Sequence, residues 1–418
     1  MCTTPSIEHN LKAQLEADIL SYDEIIRIDP NEFHAFYNKA RCLYDLKRFD
    51  EALASFDDAI RLNNTHVESH TQKGLCLANL NKYNDAIDSF NESIRLDPNQ
   101  VISFFNKGNC FKNLSLLNEA ISFYDDTLRL DPNHAQAYNN KGLCLYNLKR
   151  YDEALHSFNE AIRIDAQFAW AYNSRAVCLQ DLKRLEEALE SYNESIRIHP
   201  QYSGAYFNRG LCFYDLKRYD EALDSFKQVI ELEEENDDVE AFNNKGKCLY
   251  RLKRYDEALS TFDRVIQLKP HDFNAFIHKG RCLFDLNRVD DAILSYDEAI
   301  RLNPYNSQAF NNQGVCYQEL KKWKEALESF DKAIEMDLNF GDAFYNKGIC
   351  LYDLFRFNEA FTCFSEAIRL NPNDVESFNV KGIFLQDINQ LEQARVAYDE
   401  AIRIDPECAA SFFNRGHC

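Results

Sequence analysis

The chain repeats itself: aligned on its own sequence, nearly all of its 418 residues fall into register at a period of 34. A period of that size means that each unit is a supersecondary element too small to bury its own apolar face, so that stacking of neighbours must supply the core. Eleven complete units start at Phe33, Val67, Val101, Ala135, Ala169, Ser203, Val239, Phe273, Ser307, Gly341 and Val375, and a twelfth starts at Ala409. Length alone would suggest roughly two or three ordinary domains. The period overrides that prior, because a stacked array lengthens without closing a single core.

Numbered from the first residue of each unit, position 20 is alanine in all eleven, from Ala52 to Ala394, and position 24 is aromatic in all eleven, from Phe56 to Tyr398. Position 8 is glycine in ten of the twelve, with Ala40 and Ala176 the exceptions. Small residues let two helices approach closely, and an aromatic four places after the alanine lies on the same helical face, where it fills the gap between them. The spacing predicts two helices per unit. The first has apolar or small residues at 4, 8, 11 and 14, such as Tyr138, Gly142, Leu145 and Leu148. The second opens on acids, such as Asp152-Glu153, which suit a helix N-terminus, and eight of the nine prolines stand at position 32, where they stop it.

Glycine at 8, alanine at 20, an aromatic at 24 and proline at 32, on this period, resemble the tetratricopeptide repeat over essentially the whole chain. The resemblance implies an all-α fold: an α-solenoid winding as a right-handed superhelix, with eleven complete helical hairpins and partial units at both ends. It departs from the family at position 7, usually leucine, which here is lysine or arginine in eleven of twelve units. Their stems are expected to cover apolar surface while the charge reaches water. The connection Glu233-Glu234-Glu235-Asn236-Asp237-Asp238 is two residues longer than the period and lacks proline, which suggests a partial unit over 1–32, repeats one to six over 33–238, and the remainder over 239–418. Residues 11–28 read as a second helix without a full partner, and the sequence stops within a first helix at Cys418, so the array is expected to continue.

The formal charge is −21. Non-specific nucleic-acid affinity is mostly phosphate neutralisation, so this balance argues against nucleic acid as a partner, and against anionic membranes for the same reason. Neutral or basic protein partners are favoured over acidic ones. No apolar run approaches the ~18 residues that a membrane span requires, and the start of the sequence has no apolar signal-peptide core. Fourteen cysteines without a secretion signal point to reduced thiols, hence to the cytoplasm or the nucleus.

Cysteine recurs at position 10 from Cys42 to Cys350 and again at Cys418, with Phe384 the one break. First helices of adjacent repeats should lie about 8–10 Å apart, too far for disulfides, and no CxxC is present to seed a zinc site. These cysteines therefore read as small packing residues. His66 and His70 lack a placed third ligand, and the Asp-Glu pairs recur in every unit instead of marking one centre. Neither a metal, a cofactor nor an active site is expected.

Position 6 of the first helix is asparagine at Asn38, Asn106, Asn140, Asn208, Asn244, Asn312, Asn346 and Asn414. Asparagine is a mediocre helix former, so its recurrence in mid-helix asks for a reason. In tetratricopeptide arrays this position faces the concave groove, and the series is similar to the asparagine ladder with which O-linked N-acetylglucosamine transferase and related scaffolds grip an extended peptide backbone. Positions 5, 9, 12 and 13 share that concavity and supply Tyr146, Tyr214 and Tyr250, while Trp170 is a tryptophan outside the core pattern. The chain is thus expected to be a non-enzymatic adaptor that holds an extended segment of a partner protein. The alternative is the substrate-recognition arm of an enzyme whose catalytic domain lies beyond Cys418. The family's chaperone-binding carboxylate clamp is not expected, because neither position 5 nor position 2 is ever lysine.

Overall fold

A computed structural model describes residues 5–233 and 237–417, and among them every regular element is helical. A helix over Pro5–Ile28 precedes the first repeat and a seven-residue helix, Ala409–Arg415, opens the twelfth. Between them stand eleven hairpins, each a first helix of 13 residues and a second of 14. This is the eleven-hairpin α-solenoid implied by the period, with a partial element at each end. The helices gather into two compact units, one ending at Asn208 and the other starting at Arg209. Of the long connection, Glu234, Glu235 and Asn236 lie outside the described residues, as does Cys418. Asp238 caps the helix Val239–Arg251 by accepting from the Glu240 and Ala241 amides.

The core of a repeat is one ring laid against one helix backbone. A Cβ added to Gly142 would stand 2.6 Å from Phe158 Cε1, and Ala154, Phe158 and Ala161 are all fully buried. The thiol at position 10 packs against the ring of the preceding repeat: Phe56 clusters with Cys76, Phe90 with Cys110, and Phe330 with Cys350. Cysteines 76 to 350 of this series are buried, as the pattern predicts. Phe384, the exception, packs its ring among Phe357, Phe361 and Tyr352 in tilted and edge-on contacts.

The turn between the helices has a fixed geometry. In repeat one the Lys47 amide donates to Tyr44 O and the Arg48 amide to Leu43 O, at 2.8 and 2.9 Å. This pair of bonds closes a helix through a left-handed residue. That residue is position 15, and its φ lies between 56° and 62° in all eleven repeats, none of them glycine. Lysine fills most of these positions, and asparagine stands at 81, 287 and 389. Phe355 is the bulkiest of the set and is 78% exposed. Asparagine tolerates this backbone far better than a bulky side chain. Phe355→Asn is therefore expected to stabilise the fold by up to about 1 kcal/mol, seen as a higher midpoint in thermal denaturation; an unchanged or lower midpoint would mean that the ring contributes packing at the turn.

The cations at position 7 do more than reach water. Lys73, Lys141, Lys279 and Lys347 each hold a carboxylate 16 residues earlier, on the second helix of the preceding repeat: Asp57, Asp125, Asp263 and Asp331, at 2.5–2.8 Å. Gln313 keeps the contact without the charge by donating to Asp297 at 2.6 Å. Such part-exposed pairs contribute about 0–1 kcal/mol each, so their recurrence favours one stacking register more than it adds stability.

Candidate functional site

Within the N-terminal unit the first helices of repeats one to five touch one another in succession, and so do those of repeats seven to ten in the C-terminal unit, while second helices lie apart. The first helices therefore form the inner side of each stack. All eight position-6 asparagines are half-buried.

The structure gives most of these amides partners inside the protein. Asn208 Nδ2 donates to Asn173 Oδ1 at 3.2 Å and Asn346 Nδ2 to Asn311 Oδ1 at 3.0 Å, each reaching position 5 of the preceding repeat. Asn140 Nδ2 donates to Asn109 Oδ1 at 2.9 Å. Asn106 and Asn244 donate to the carbonyls of Ile102 and Glu240 in their own helices, and the Asn312 oxygen accepts from Gln308. Among the described residues four buried amide atoms have no partner: Asn139 Oδ1, which faces a repeat with Ser174 at position 6; Asn243 Oδ1, which faces one with His278; Asn312 Nδ2; and Asn379 Oδ1, although Asn414 follows it by 35 residues. An unpaired buried polar atom costs about 1–3 kcal/mol. Ser174→Asn restores the spacing of the Asn173–Asn208 pair to Asn139 and is expected to stabilise the protein by about 1 kcal/mol. Chemical denaturation reads this directly, and a destabilised variant would show that the pairing is not transferable.

The tyrosines at position 12 make a second row of links. Tyr146 Oη donates to Asp181 at 2.5 Å, and Tyr352 bonds Asp387, each at position 13 of the next repeat. Tyr250 is held by Asp285 in the same way, and burial followed by this carboxylate pushes its phenol up to about 12. Tyr214 departs from the rule because position 13 of the next repeat is Arg251, whose Nε donates to the Tyr214 oxygen at 3.3 Å. The pairing was readable in the sequence as tyrosine at 12 and an acid at 13, 35 residues apart.

Trp170, at position 2 of repeat five, is 49% exposed. Its ring lies 5.4 Å from His199 and 5.7 Å from Tyr202, and Tyr202 in turn accepts from Asn173. The tryptophan thus connects to the Asn173–Asn208 pair through one tyrosine.

In the C-terminal unit the rows converge on an open cavity of 380 Å³ lined by Leu211, Tyr214, Asn244, Lys247, Tyr250, Arg251, Phe262, His278 and Arg281. Apart from Phe262, the position-24 ring of repeat seven, every one of these comes from positions 6, 9, 12 or 13 of a first helix. Three of the sequence-predicted residues, Asn244, Tyr214 and Tyr250, meet here. His278, which replaces asparagine in the row, stacks on Phe262 at 5.1 Å. Burial and the nearby Lys247 and Arg281 depress its imidazole to about 4, so it is neutral at ordinary pH. Among the described residues no group of three or more His, Cys, Asp or Glu is placed to hold a metal, and no helix is long and apolar enough to cross a membrane.

Tetratricopeptide-repeat profiles match the chain over 71–134 and 249–307, over 135–168, 307–340 and 341–374, and over 167–235, 213–276 and 363–396. A profile described as anaphase-promoting complex, cyclosome, subunit 3 matches 12–93. No curated protein sequence matches. Among solved structures, the APC/C hetero-tetramer Cut9-Hcn1 is similar over 98% of this chain and 94% of that one, at 13% identity and a TM-score of 0.50. YrrB, described as a TPR protein with an unusual peptide-binding site, is 27% identical over 46% of this chain and 97% of its own, with a TM-score of 0.40. The yeast Tom70 structure is similar over 92% of this chain and 95% of that one, at 15% identity and a TM-score of 0.49. With these profiles running almost unbroken from residue 71 to residue 396 over the hairpins described above, the chain belongs to the tetratricopeptide-repeat family.

Proposed function

We propose that the protein is an interaction scaffold whose first-helix groove holds an extended segment of a partner protein. The observation that carries this reading is the cavity over residues 211–281, where three repeats bring an amide, two phenols and three cationic side chains to one open, part-apolar surface. Aromatic groups beside polar ones are the usual chemistry of protein contact sites. Along the inner face successive repeats present equivalent side chains at regular intervals, which suits a ligand that is itself extended.

Energetics limit the affinity. A net hydrogen bond to the bound segment is worth about 0.5–1.5 kcal/mol, and ordering each of its residues costs about 1–2 kcal/mol. Backbone contacts alone nearly cancel, so aromatic contacts must supply the surplus, and binding is expected to be weak to micromolar.

The test replaces Asn106 and Asn244 together by alanine. These two donate only to carbonyls of their own helices and accept only long bonds, from Asn109 and Lys247 at 3.4 Å, whereas removing Asn140 or Asn208 would strip Asn109 or Asn173 of a donor at 2.9 or 3.2 Å. Alanine is the better helix former, so the fold should be kept. Partner retention from lysate should fall about fivefold or more from two lost contacts, and Trp170→Ala should weaken the same partners separately. Unchanged partners and unchanged retention in both variants would remove the groove from the reading.

A further inference from the structure

The groove is not electrically uniform. At position 9 most repeats carry an aliphatic side chain or asparagine; the cations are Arg41 in repeat one and Lys247 and Arg281 in the adjacent repeats seven and eight. At position 13 the other ten repeats carry Asp, Asn or Glu, and repeat seven alone carries arginine, Arg251. These three cations line one cavity, in a chain whose formal charge is −21.

Their contacts leave the charges unspent. Arg251 donates to the Tyr214 hydroxyl and Lys247 to Asn244 Oδ1 at 3.4 Å, both neutral acceptors. The Arg281 guanidinium lies over the Tyr250 ring, 4.8 Å from its centre. By contrast, the position-7 lysines of repeats two, four, eight and ten, outside this groove, each sit within 2.5–2.8 Å of a carboxylate. The acid at the edge of the cavity is Asp285, which Tyr250 engages, and Asp272 is sensed from nearby by His278. After burial, the same Lys247 and Arg281 help to hold His278 neutral.

We propose that this cavity is a subsite for one acidic side chain, an aspartate or glutamate carboxylate, of the segment held in the groove. Arginine forks suit a carboxylate, and charge-assisted hydrogen bonds are about twice as strong as neutral ones. The Tyr214 and Tyr250 rings and Leu211 form the wall against which the methylene of such a side chain packs. The negative charge of the rest of the surface acts at long range and is screened over about 8–10 Å at ordinary salt, whereas the three cations act at contact. The net charge therefore disfavours acidic partners in general while this cavity selects one acid at one place. The subsite is distinct from a clamp built on lysines at positions 5 and 2, which this chain lacks.

This assignment rests on the groove reading above, and the test separates the two. A display library of random decapeptides is panned on the whole protein, and retained peptides are resynthesised with each acid changed to its amide. Retained peptides should share an Asp or Glu at a fixed place, and the amide form should bind at least tenfold more weakly. A variant carrying Lys247→Gln, Arg251→Gln and Arg281→Gln together should bind acid and amide forms equally. If the native protein retains peptides but binds acid and amide forms alike, the subsite is wrong and the groove stands. Continued discrimination by the triple variant would place the acid elsewhere and also overturn the subsite. If no peptide is retained, the groove reading falls and the subsite falls with it.

Discussion

Phe158→Ala is expected to lower the unfolding free energy by about 3–5 kcal/mol, the usual cost of emptying a large aromatic site. The ring is fully buried, and it stands so close to the backbone of its partner helix that even a methyl group on Gly142 would meet it at 2.6 Å. Ala154 and Ala161, which flank the ring on its own helix, are fully buried and have no side chain that could extend into that space. The damage should spread along the chain, since in equivalent repeats the ring clusters with the thiol of the next one, as Phe56 does with Cys76. In a stacked array stability is close to a sum of repeat and interface terms. Urea unfolding should consequently change from one transition to two, with the flanking repeats melting separately. A single transition displaced by less than about 1 kcal/mol would show that the ring is not the keystone of the hairpin.

The second large effect is alkaline. Burial pushes the thiols of Cys76, Cys248, Cys282 and Cys316 up to about 12 and those of Cys110, Cys144, Cys178 and Cys350 up to about 11, from an ordinary value of 9.0. The buried phenols of Tyr124 and Tyr296 are raised as well. Each group is neutral when protonated, so below pH 9 the folded and unfolded chains carry the same proton and nothing is lost. Above it the unfolded thiols ionise while the buried ones cannot, and unfolding gains on the order of 1 kcal/mol per group for each pH unit. Stability should hold up to about pH 9 and then disappear steeply before 12. Circular dichroism followed against pH measures this. Alanine at Cys76, Cys248, Cys282 and Cys316 together should move the loss of helix to higher pH, and helicity persisting unchanged to pH 12 would contradict the burial of the series.

The hairpins were legible in the sequence because their physics is local. Gly142, Ala154 and Phe158 lie within one repeat, and the need for close approach plus a filling ring leaves few residue types at each position. The cysteine series was legible for a related reason, since a buried slot beside a ring favours a small side chain, and Phe384 alone departs from it among the described repeats. What escaped was pairing across repeats. The asparagines of position 6 looked like free groove amides, yet Asn208 and Asn346 spend their donors on Asn173 and Asn311. Whether an amide reaches across to the next helix depends on its rotamer, and that is not written in periodicity. The Lys141–Asp125 contact and the Tyr146–Asp181 link were hidden differently. Their spacings of 16 and 35 residues are visible once sought, but neither is a helical spacing, so a reading confined to helix faces passes over them. The αL turn at position 15 gave no signal, because lysine stands where glycine would have announced it.

A ligand segment lying along the first helices would be traced by photo-crosslinking. A decapeptide retained by the native protein would carry a benzophenone at each position in turn, and the crosslinked residues would be mapped by mass spectrometry. Crosslinks are expected at positions 2, 5, 6, 9, 12 and 13 of consecutive first helices, stepping from one repeat to the next as the label moves along the peptide, with Tyr214, Asn244 and Tyr250 among them. Crosslinks confined to second helices or to the connections between repeats, whatever the position of the label, would contradict that placement.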